Sequence, residues 1–238
     1  MSIFRFTTRV SYPDLDQDYN LSMSGALRLM QEAAAIHSDS LGYSFRTVSQ
    51  THVHWLVVSW RVRMIRKAGW NETLYVDTWP RTMSRVTSER DFEIKNEAGE
   101  TICLATSNWI LVSSDTGRAT RVTPQIASAY PLTPEPAFGD ELQLPNVDNG
   151  EETYVGRVLR RDLDTNQHVN NLIYLDYARQ ALPEEVYHHT FREIAVKYSR
   201  QLLLGDTFHC IYSHTAGCHV VKLQSETGTL HASVHFWE

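Results

Sequence analysis

The sequence has little of what marks a secreted, membrane-spanning or nucleic-acid-binding protein. Only three of its 238 residues are cysteine and none forms a CxxC pair, so no disulfide framework is indicated. No apolar run approaches the roughly 20 residues that span a bilayer, and the opening "MSIFRFTTRVSYPDLD" lacks the apolar core of a signal peptide. A net charge of −6 gives no general attraction to nucleic acid or anionic lipid. We therefore expect a cytoplasmic protein with three buried thiols and no nucleic-acid or membrane partner.

The motifs of several common enzyme classes are missing as well. There is no GxSxG nucleophile elbow, no P-loop and no GxGxxG dinucleotide fingerprint. The eleven histidines include "HVH" at 52–54, "HH" at 188–189 and "HASVH" at 231–235, but none forms a recognised ligand array with carboxylate or cysteine. We expect no metal and no cofactor.

An internal repeat is the most informative feature that the sequence does have. "RVSYPDLD" at 9–16 returns as "RVLRRDLD" at 157–164, and each copy leads through a polar stretch into a helical pattern. Two further resemblances follow in the same order: "IRKAGWNETLYVDT" (65–78) with "SRQLLLGDTFHCIY" (199–212), and "GETICLATSNWI" (99–110) with "GTLHASVHFWE" (228–238). Three ordered matches indicate a duplicated unit.

The two copies are separated by a stretch with the composition of a linker. Residues 130–150 hold four prolines and two glycines without sustained periodicity. We therefore predict an N-terminal domain (1–129), a linker (130–150) and a C-terminal domain (151–238). Each domain reads as a strand, a helix and several long strands, which is an α+β unit with its helix packed on one face of a mostly antiparallel sheet.

Local patterns place the helices and strands. A stripe with a period of about 3.6 residues, capped by Ser22 or Ser24 and ended by Gly42, predicts the first helix. The stripe consists of Leu27, Met30, Ala34, His37 and Leu41. Alternating apolar and polar residues predict strands at 55–65, 72–80, 87–96, 100–113, 191–199 and 206–214.

The polar stretch before the second helix differs in chemistry from its counterpart in the first unit. One acidic residue recurs, but two other positions change. The pairs are Asp16 with Asp164, Asp18 with Asn166, and Asn20 with His168. A turn kept only for the fold would have less reason to change in this way.

Three neighbouring residues have simpler expected roles. Asp162 is expected to cap a turn, because a short carboxylate can accept nearby backbone N–H groups. Asn170 is expected to be the N-cap of the second helix, with Asn171 in its first turn.

The segment "DLDTNQHVNNLIYL" at 162–175 resembles the "DxNxHVNNxxY" signature of the acyl-acyl-carrier-protein (acyl-ACP) thioesterases. The resemblance covers nearly the whole chain, including "RVSYPDLDQDYNLSMSGALRLMQEAA" and "HWLVVSWRVRMIRKAGWNETLYVDTWP". It implies a tandem (double) hotdog fold, in which two antiparallel sheets are each wrapped around a central helix. It also implies release of fatty acids from acyl carrier protein, the partner, which ends fatty acid chain elongation.

The resemblance and the chemistry of the motif together assign catalytic roles. Asp164 is expected to be the general base, with His168 as the next candidate and Asn166 as a neutral group that binds water or substrate. N–H groups near Val169 and Asn170, at the start of the helix, are expected to bind the thioester oxygen as it gains charge. A thiolate leaves easily, so a strong general acid is not essential.

One position departs from the family pattern. The family often carries a Glu-Cys pair where this chain has Gln201 and Leu202. An amide can position water but cannot act as a base, and leucine removes any cysteine nucleophile. Gln201 therefore stays a catalytic candidate in a positioning role only.

The substrate requires two further surfaces. An acyl chain needs an apolar lining, for which the candidates are Leu27, Met30, Ala34 and Trp60, all of which would also suit a core. An acidic carrier protein needs a basic surface, for which the sequence offers two groups of basic residues. Each group could instead be an ordinary solvated strand face. One group is Arg61, Arg63, Arg66 and Lys67, and the other is Arg157, Arg160 and Arg161.

Two other functions remain open at this point. One is a hotdog thioesterase that acts on acyl-coenzyme A, which differs only in the donor. The other is a non-catalytic acyl-binding protein, which Gln201 would favour and the intact Asp164, Asn166 and His168 disfavour. A homodimer is also left open.

Overall fold

The computed structural model describes residues 3–147, 149–215 and 217–238, so Asp148 of the predicted linker lies outside the described residues. The chain divides into two compact units between Asp140 and Glu141. The three-part division with a linker at 130–150 stays a prediction. No helix within the described ranges is both long enough and apolar enough to cross a membrane.

The N-terminal unit combines one long helix with five antiparallel strands. Its strands pair in the order β1-β3-β4-β5-β2. In chain order its elements are β1 (Phe4–Arg9), a 3₁₀ helix (Tyr12–Asp14), α1 (Met23–Ser40), α2 (Val48–Thr51), β2 (Val53–Met64), β3 (Thr73–Met83), β4 (Thr87–Asn96), β5 (Thr101–Ser113) and α3 (Pro124–Ala129).

Helix α1 begins and ends where its capping residues predict. Ser22 is the N-cap, and its Oγ accepts the N–H of Gly25 at 3.0 Å. Gly42 follows the helix with a φ of 82°, which glycine adopts without strain. The predicted stripe from Leu27 to His37 is the buried face, so the helix prediction is confirmed.

A buried arginine lies beside the last residue of this stripe. Arg90 of β4 is 5% exposed, and its Nη1 donates to Nδ1 of His37 at 3.0 Å and to Oγ1 of Thr78 at 3.1 Å. The ring of Tyr130 lies 6.0 Å from the guanidinium. Burial, together with the Arg90 charge, lowers the pKa of His37 to about 4. Burial also lowers the pKa of Arg90 to about 10. Near neutral pH, His37 is therefore uncharged beside a charged Arg90.

The C-terminal unit repeats the same plan with shorter elements. Its strands pair antiparallel in the order β6-β8-β9-β10-β7. In chain order its elements are β6 (Glu151–Arg157), a 3₁₀ helix (Arg160–Asp162), α4 (Asn171–Gln180), α5 (Glu184–Tyr187), β7 (Glu193–Tyr198), β8 (Thr207–Thr215), β9 (Cys218–Gln224) and β10 (Leu230–Trp237).

The two strand orders become identical when β1 to β5 are replaced by β6 to β10 in turn. Each unit also has a 3₁₀ turn just ahead of the loop that leads into its main helix, at Tyr12–Asp14 in one and Arg160–Asp162 in the other. The common topology supports the duplication inferred from the sequence.

The three cysteines are free and buried, as predicted. Burial raises the pKa of Cys210 to about 12 and that of Cys218 to about 11, and it raises the pKa of Cys103 further still. These thiols therefore remain protonated near neutral pH and serve as small core residues.

Candidate active site

The candidate motif forms a closed loop immediately before α4. Leu163 and Val169 pair across the loop, and the N–H of Asp164 donates to the carbonyl of His168 at 2.8 Å. At the tip, Gln167 adopts a positive φ of 63°, and its N–H donates to the carbonyl of Asp164 at 3.1 Å. Main-chain bonds therefore fix the loop before any side chain is considered.

The carboxylate of Asp164 also holds this loop. Its Oδ1 accepts the N–H of Asn166 at 2.7 Å and that of His168 at 3.3 Å. This is the pattern of an Asx turn, in which a short acidic side chain replaces a main-chain acceptor. One carboxylate oxygen of Asp164 is thus used by the turn, and Oδ2 is the oxygen that remains to bind water.

The first unit contains the same turn without the same chemistry. Oδ1 of Asp16 accepts the N–H groups of Asp18 and Asn20, each at 2.9 Å, and Tyr19 has a φ of 61° at the tip. The shared aspartate therefore explains the shape of both loops. The turn alone does not explain the residues that differ.

The residues that differ between the copies also differ in what binds them. In the first unit, Nδ2 of Asn20 donates to the carbonyl of Asp18, and the Asp18 carboxylate lies 3.4 Å from Nζ of Lys67. In the second unit, the side chains of Asn166 and His168 have no hydrogen-bond partner within the described part of the chain. Asn166 is exposed and His168 is half-buried, so both side chains are available to a ligand.

The start of α4 corrects the expected oxyanion donors. The N–H of Val169 donates to the carbonyl of Leu202 at 3.1 Å, and the N–H of Asn170 donates to that of Asp162 at 2.8 Å. Asn170 is the N-cap, as predicted, and its Oδ1 accepts the N–H of Leu172 at 3.0 Å. Among the described residues this leaves the N–H of Asn171 as the first unpaired donor of the helix.

Asp162 has the structural role expected of it. Its Oδ2 accepts the N–H of Leu159 and the hydroxyl of Tyr177, both at 2.7 Å. The residue is buried. It caps the 3₁₀ turn and anchors this turn to α4.

The segment that departs from the family pattern runs directly beside the motif. Leu203 pairs with His168, and the N–H of Leu202 donates to the hydroxyl of Tyr174 at 2.8 Å. Leu202 is fully buried, so its side chain belongs to the core, whereas Gln201 is exposed. Tyr174 is the tyrosine of the family signature, and no role was predicted for it. Burial raises its pKa to about 12, so its hydroxyl stays protonated.

The four residues predicted to line an acyl site all lie in the N-terminal unit. Leu27, Met30 and Ala34 are on the buried face of α1, and Trp60 of β2 is 2% exposed. The Trp60 ring packs 5.1 Å from that of Phe92. All four are buried core residues of this unit, and their role in substrate binding stays a prediction.

The first predicted docking group is engaged within its own unit. Arg61 and Arg63 both bind the carboxylate of Asp140, at 2.7 and 2.8 Å, and both lie over the ring of Phe138. These hydrogen bonds keep the pKa of Asp140 well below its usual range. The two remaining members also form ion pairs, Arg66 with Glu100 and Lys67 with Asp18. The docking role of this group stays a prediction, but each cation would have to give up an acidic partner.

The second basic group is more open and lies closer to the motif in the chain. Arg157, Arg160 and Arg161 are exposed, and the last two belong to the 3₁₀ turn that leads into the loop. The Arg161 side chain is 83% exposed, with its Nε 3.7 Å from Asp162. An ion pair at this distance is weak and leaves most of the guanidinium available to a partner.

Two domain families match the chain and together cover most of it. Residues 2–130 match the acyl-ACP thioesterase N-terminal domain. Residues 147–235 match the acyl-ACP thioesterase C-terminal domain, which includes the whole motif loop.

Plant acyl carrier protein thioesterases are similar in sequence. An oleoyl-acyl carrier protein thioesterase of Arabidopsis thaliana is 29% identical over 225 residues, which is 86% of this chain and 61% of that protein. One of Coriandrum sativum is 31% identical over 204 residues, which is 78% of this chain and 55% of that protein. The chain therefore spans only somewhat more than half the length of these relatives.

Solved structures show the fold. An acyl-ACP thioesterase from Bacteroides thetaiotaomicron matches with a TM-score of 0.89 at 18% identity, covering 100% of this chain and 99% of that one. The 12:0-ACP thioesterase from Umbellularia californica matches with a TM-score of 0.85 at 21% identity, covering 99% and 96%. The predicted α+β double hotdog class is confirmed. With both of its halves matched by the corresponding domain families, the chain belongs to the acyl-ACP thioesterase family.

Proposed function

We propose that this protein hydrolyses fatty acyl thioesters of acyl carrier protein, with Asp164, Asn166 and His168 as its catalytic group. One observation carries the proposal. Of two loops with the same backbone turn, only the second places an amide and an imidazole without structural partners at the corresponding positions. Membership of the acyl-ACP thioesterase family supplies the substrate class.

The proposed reaction starts with a water held between Oδ2 of Asp164 and the imidazole of His168. Asp164 takes a proton as the water oxygen bonds to the thioester carbon, and His168 orients the water. The carbonyl oxygen becomes an oxyanion, for which the N–H of Asn171 and the amide of Asn166 are the proposed donors. The C–S bond then breaks, and the thiolate takes up the proton to give the free acid and the carrier thiol.

The turn itself offers a way to separate the structural role of Asp164 from its chemistry. In Asp164→Asn, the side-chain oxygen still accepts the N–H groups of Asn166 and His168, but the proton acceptor is lost. Asp16→Asn makes the same change in the same turn of the first unit. It is therefore a matched control for any effect on the fold.

The test is single-turnover hydrolysis of an acyl-ACP by both variants. Asp164→Asn should lose about 10²–10⁴ in rate, as is typical for loss of a general base. Asp16→Asn should stay within a few-fold of wild type, and both variants should unfold at similar temperatures.

Four outcomes would contradict parts of the proposal. Near-wild-type activity of Asp164→Asn would remove Asp164 as the base. Equal losses in both variants would show that the turn matters rather than the carboxylate. A wild-type protein that binds acyl-ACP without turning it over would be a non-catalytic acyl-binding protein, and one that cleaves only acyl-coenzyme A would have a different donor.

A further inference from the structure

Three potential metal ligands meet at one end of the C-terminal unit. Nδ1 of His189 lies 2.6 Å from Oε1 of Glu238, and Nε2 of His219 lies 3.6 Å from the same oxygen. One ligand atom from each residue falls within 4.8 Å of the other two. Within the described part of the chain, this is the one place where three or more histidine, cysteine or acidic side chains come close enough to hold an ion.

The strand register explains why these residues meet. In the β9–β10 pair, Phe236 lies opposite His219, so Glu238 projects just past the start of β9. On the other side of β10, the N–H of Arg192 donates to the carbonyl of Trp237 at 2.8 Å, which brings the segment containing His189 to the same end. No metal was expected, because no recognised spacing of metal ligands occurs along the sequence. Ligands that only the folded chain brings together cannot be found from their spacing.

The distances suit a small tetrahedral ion after modest side-chain movement. Zinc bonds to histidine nitrogen and carboxylate oxygen are about 2.0–2.2 Å long, so tetrahedral ligand atoms lie about 3.3 Å apart. The spacing between His219 and Glu238 is already close to this value. The pair formed by His189 and Glu238 must open slightly, which two exposed side chains can do.

A tyrosine hydroxyl holds one of the three ligands in place. The hydroxyl of Tyr212 lies 2.9 Å from Nδ1 of His219 and can orient the ring so that Nε2 faces the other ligands.

We propose that His189, His219 and Glu238 form a binding site for a divalent transition metal of the zinc type. The ion would join the segment after α5 to the adjoining ends of β9 and β10. Three protein ligands leave a fourth position for water. The competing explanation is a hydrogen-bonded cluster of two histidines and a carboxylate that needs no ion.

The test is titration of the whole chain, untagged and treated with a chelator, with Zn²⁺ by calorimetry and with Co²⁺ by visible absorption. We expect one ion per chain and the strong Co²⁺ absorption of a tetrahedral site. Glu238→Gln keeps the size and exposure of the side chain and should weaken Zn²⁺ binding at least about tenfold. His219→Ala should abolish binding, and Tyr212→Phe should weaken it by about 10- to 100-fold.

Two control variants test whether surface histidines account for binding. His52→Ala removes an exposed histidine that pairs with Asp115 at 3.0 Å but has no third ligand among the described residues. His188→Ala removes the neighbour of His189, which pairs with Glu184. Both should bind Zn²⁺ like wild type. No stoichiometric binding by wild type, binding that survives Glu238→Gln and His189→Ala, or equal loss in the controls would overturn the proposal, whatever the thioesterase activity.

Discussion

The buried contact between His37 and Arg90 predicts that the N-terminal unit loses stability in mild acid. In the folded protein, burial and the adjacent guanidinium hold the pKa of His37 at about 4. An exposed histidine in an unfolded chain has a pKa of about 6.5. Between these values the unfolded chain binds the proton more readily, so the free energy of unfolding falls as the pH decreases through this window.

The size of this effect follows from the two pKa values. Each unit of difference corresponds to about 1.4 kcal/mol, so the full contribution is about 3 kcal/mol. Most of this contribution is lost above pH 5. We therefore expect the free energy of unfolding to fall by about 2 kcal/mol between pH 7 and pH 5 from this residue alone.

Tryptophan fluorescence can follow this unit during urea unfolding. Five of the six tryptophans lie in the N-terminal unit, namely Trp55, Trp60, Trp70, Trp79 and Trp109. The informative variant is His37→Gln, because a glutamine oxygen can still accept the Arg90 N–H but does not titrate. Its stability at pH 7 should be lower, since the stacking of His37 on Phe4 is lost, but its pH dependence should be flatter.

The quantity to compare between wild type and variant is the change in unfolding free energy with pH, not the unfolding free energy at one pH. The control is His52→Gln, which changes an exposed histidine of the same unit and should leave the wild-type pH dependence unchanged. If His37→Gln and wild type lose the same stability between pH 7 and pH 5, the buried pair does not control the acid response and this reasoning is wrong.

Two further predictions concern the candidate active site. Gln201→Ala should reduce single-turnover hydrolysis by less than about tenfold, because an amide only orients water, and a dead variant would move water activation to that side of the site. Charge reversal at Arg160 and Arg161 should raise KM for acyl-ACP several-fold while sparing hydrolysis of acyl-coenzyme A, because only the carrier protein needs docking; equal losses on both substrates would exclude this surface.

Much of the fold was predictable because local patterns agree with the tertiary structure. The alternation at 87–96 predicted β4 to the residue, and Ser22 and Gly42 bounded α1. Strand β9 carried no such signal. Its first four residues, Cys218–Val221, are all buried, so the strand shows no alternation of polar and apolar side chains.

The candidate site was predictable only in part. Comparison of the two copies singled out Asn166 and His168, because a repeat contains its own reference for what the turn requires. The hydrogen-bond partners of individual donors could not be predicted in this way, because they are distant in sequence. The N–H of Val169 donates to the carbonyl of Leu202, and the Arg61 guanidinium donates to the carboxylate of Asp140.

The buried cysteines have a practical consequence for chemical labelling. Alkylating reagents react with thiolates, and the raised pKa values of Cys103, Cys210 and Cys218 leave very little thiolate near neutral pH. The native chain can therefore serve as an almost unreactive background while it stays folded. A single new thiol at an exposed position such as Gln201→Cys would carry a fluorophore beside the motif loop, with the core cysteines left in place.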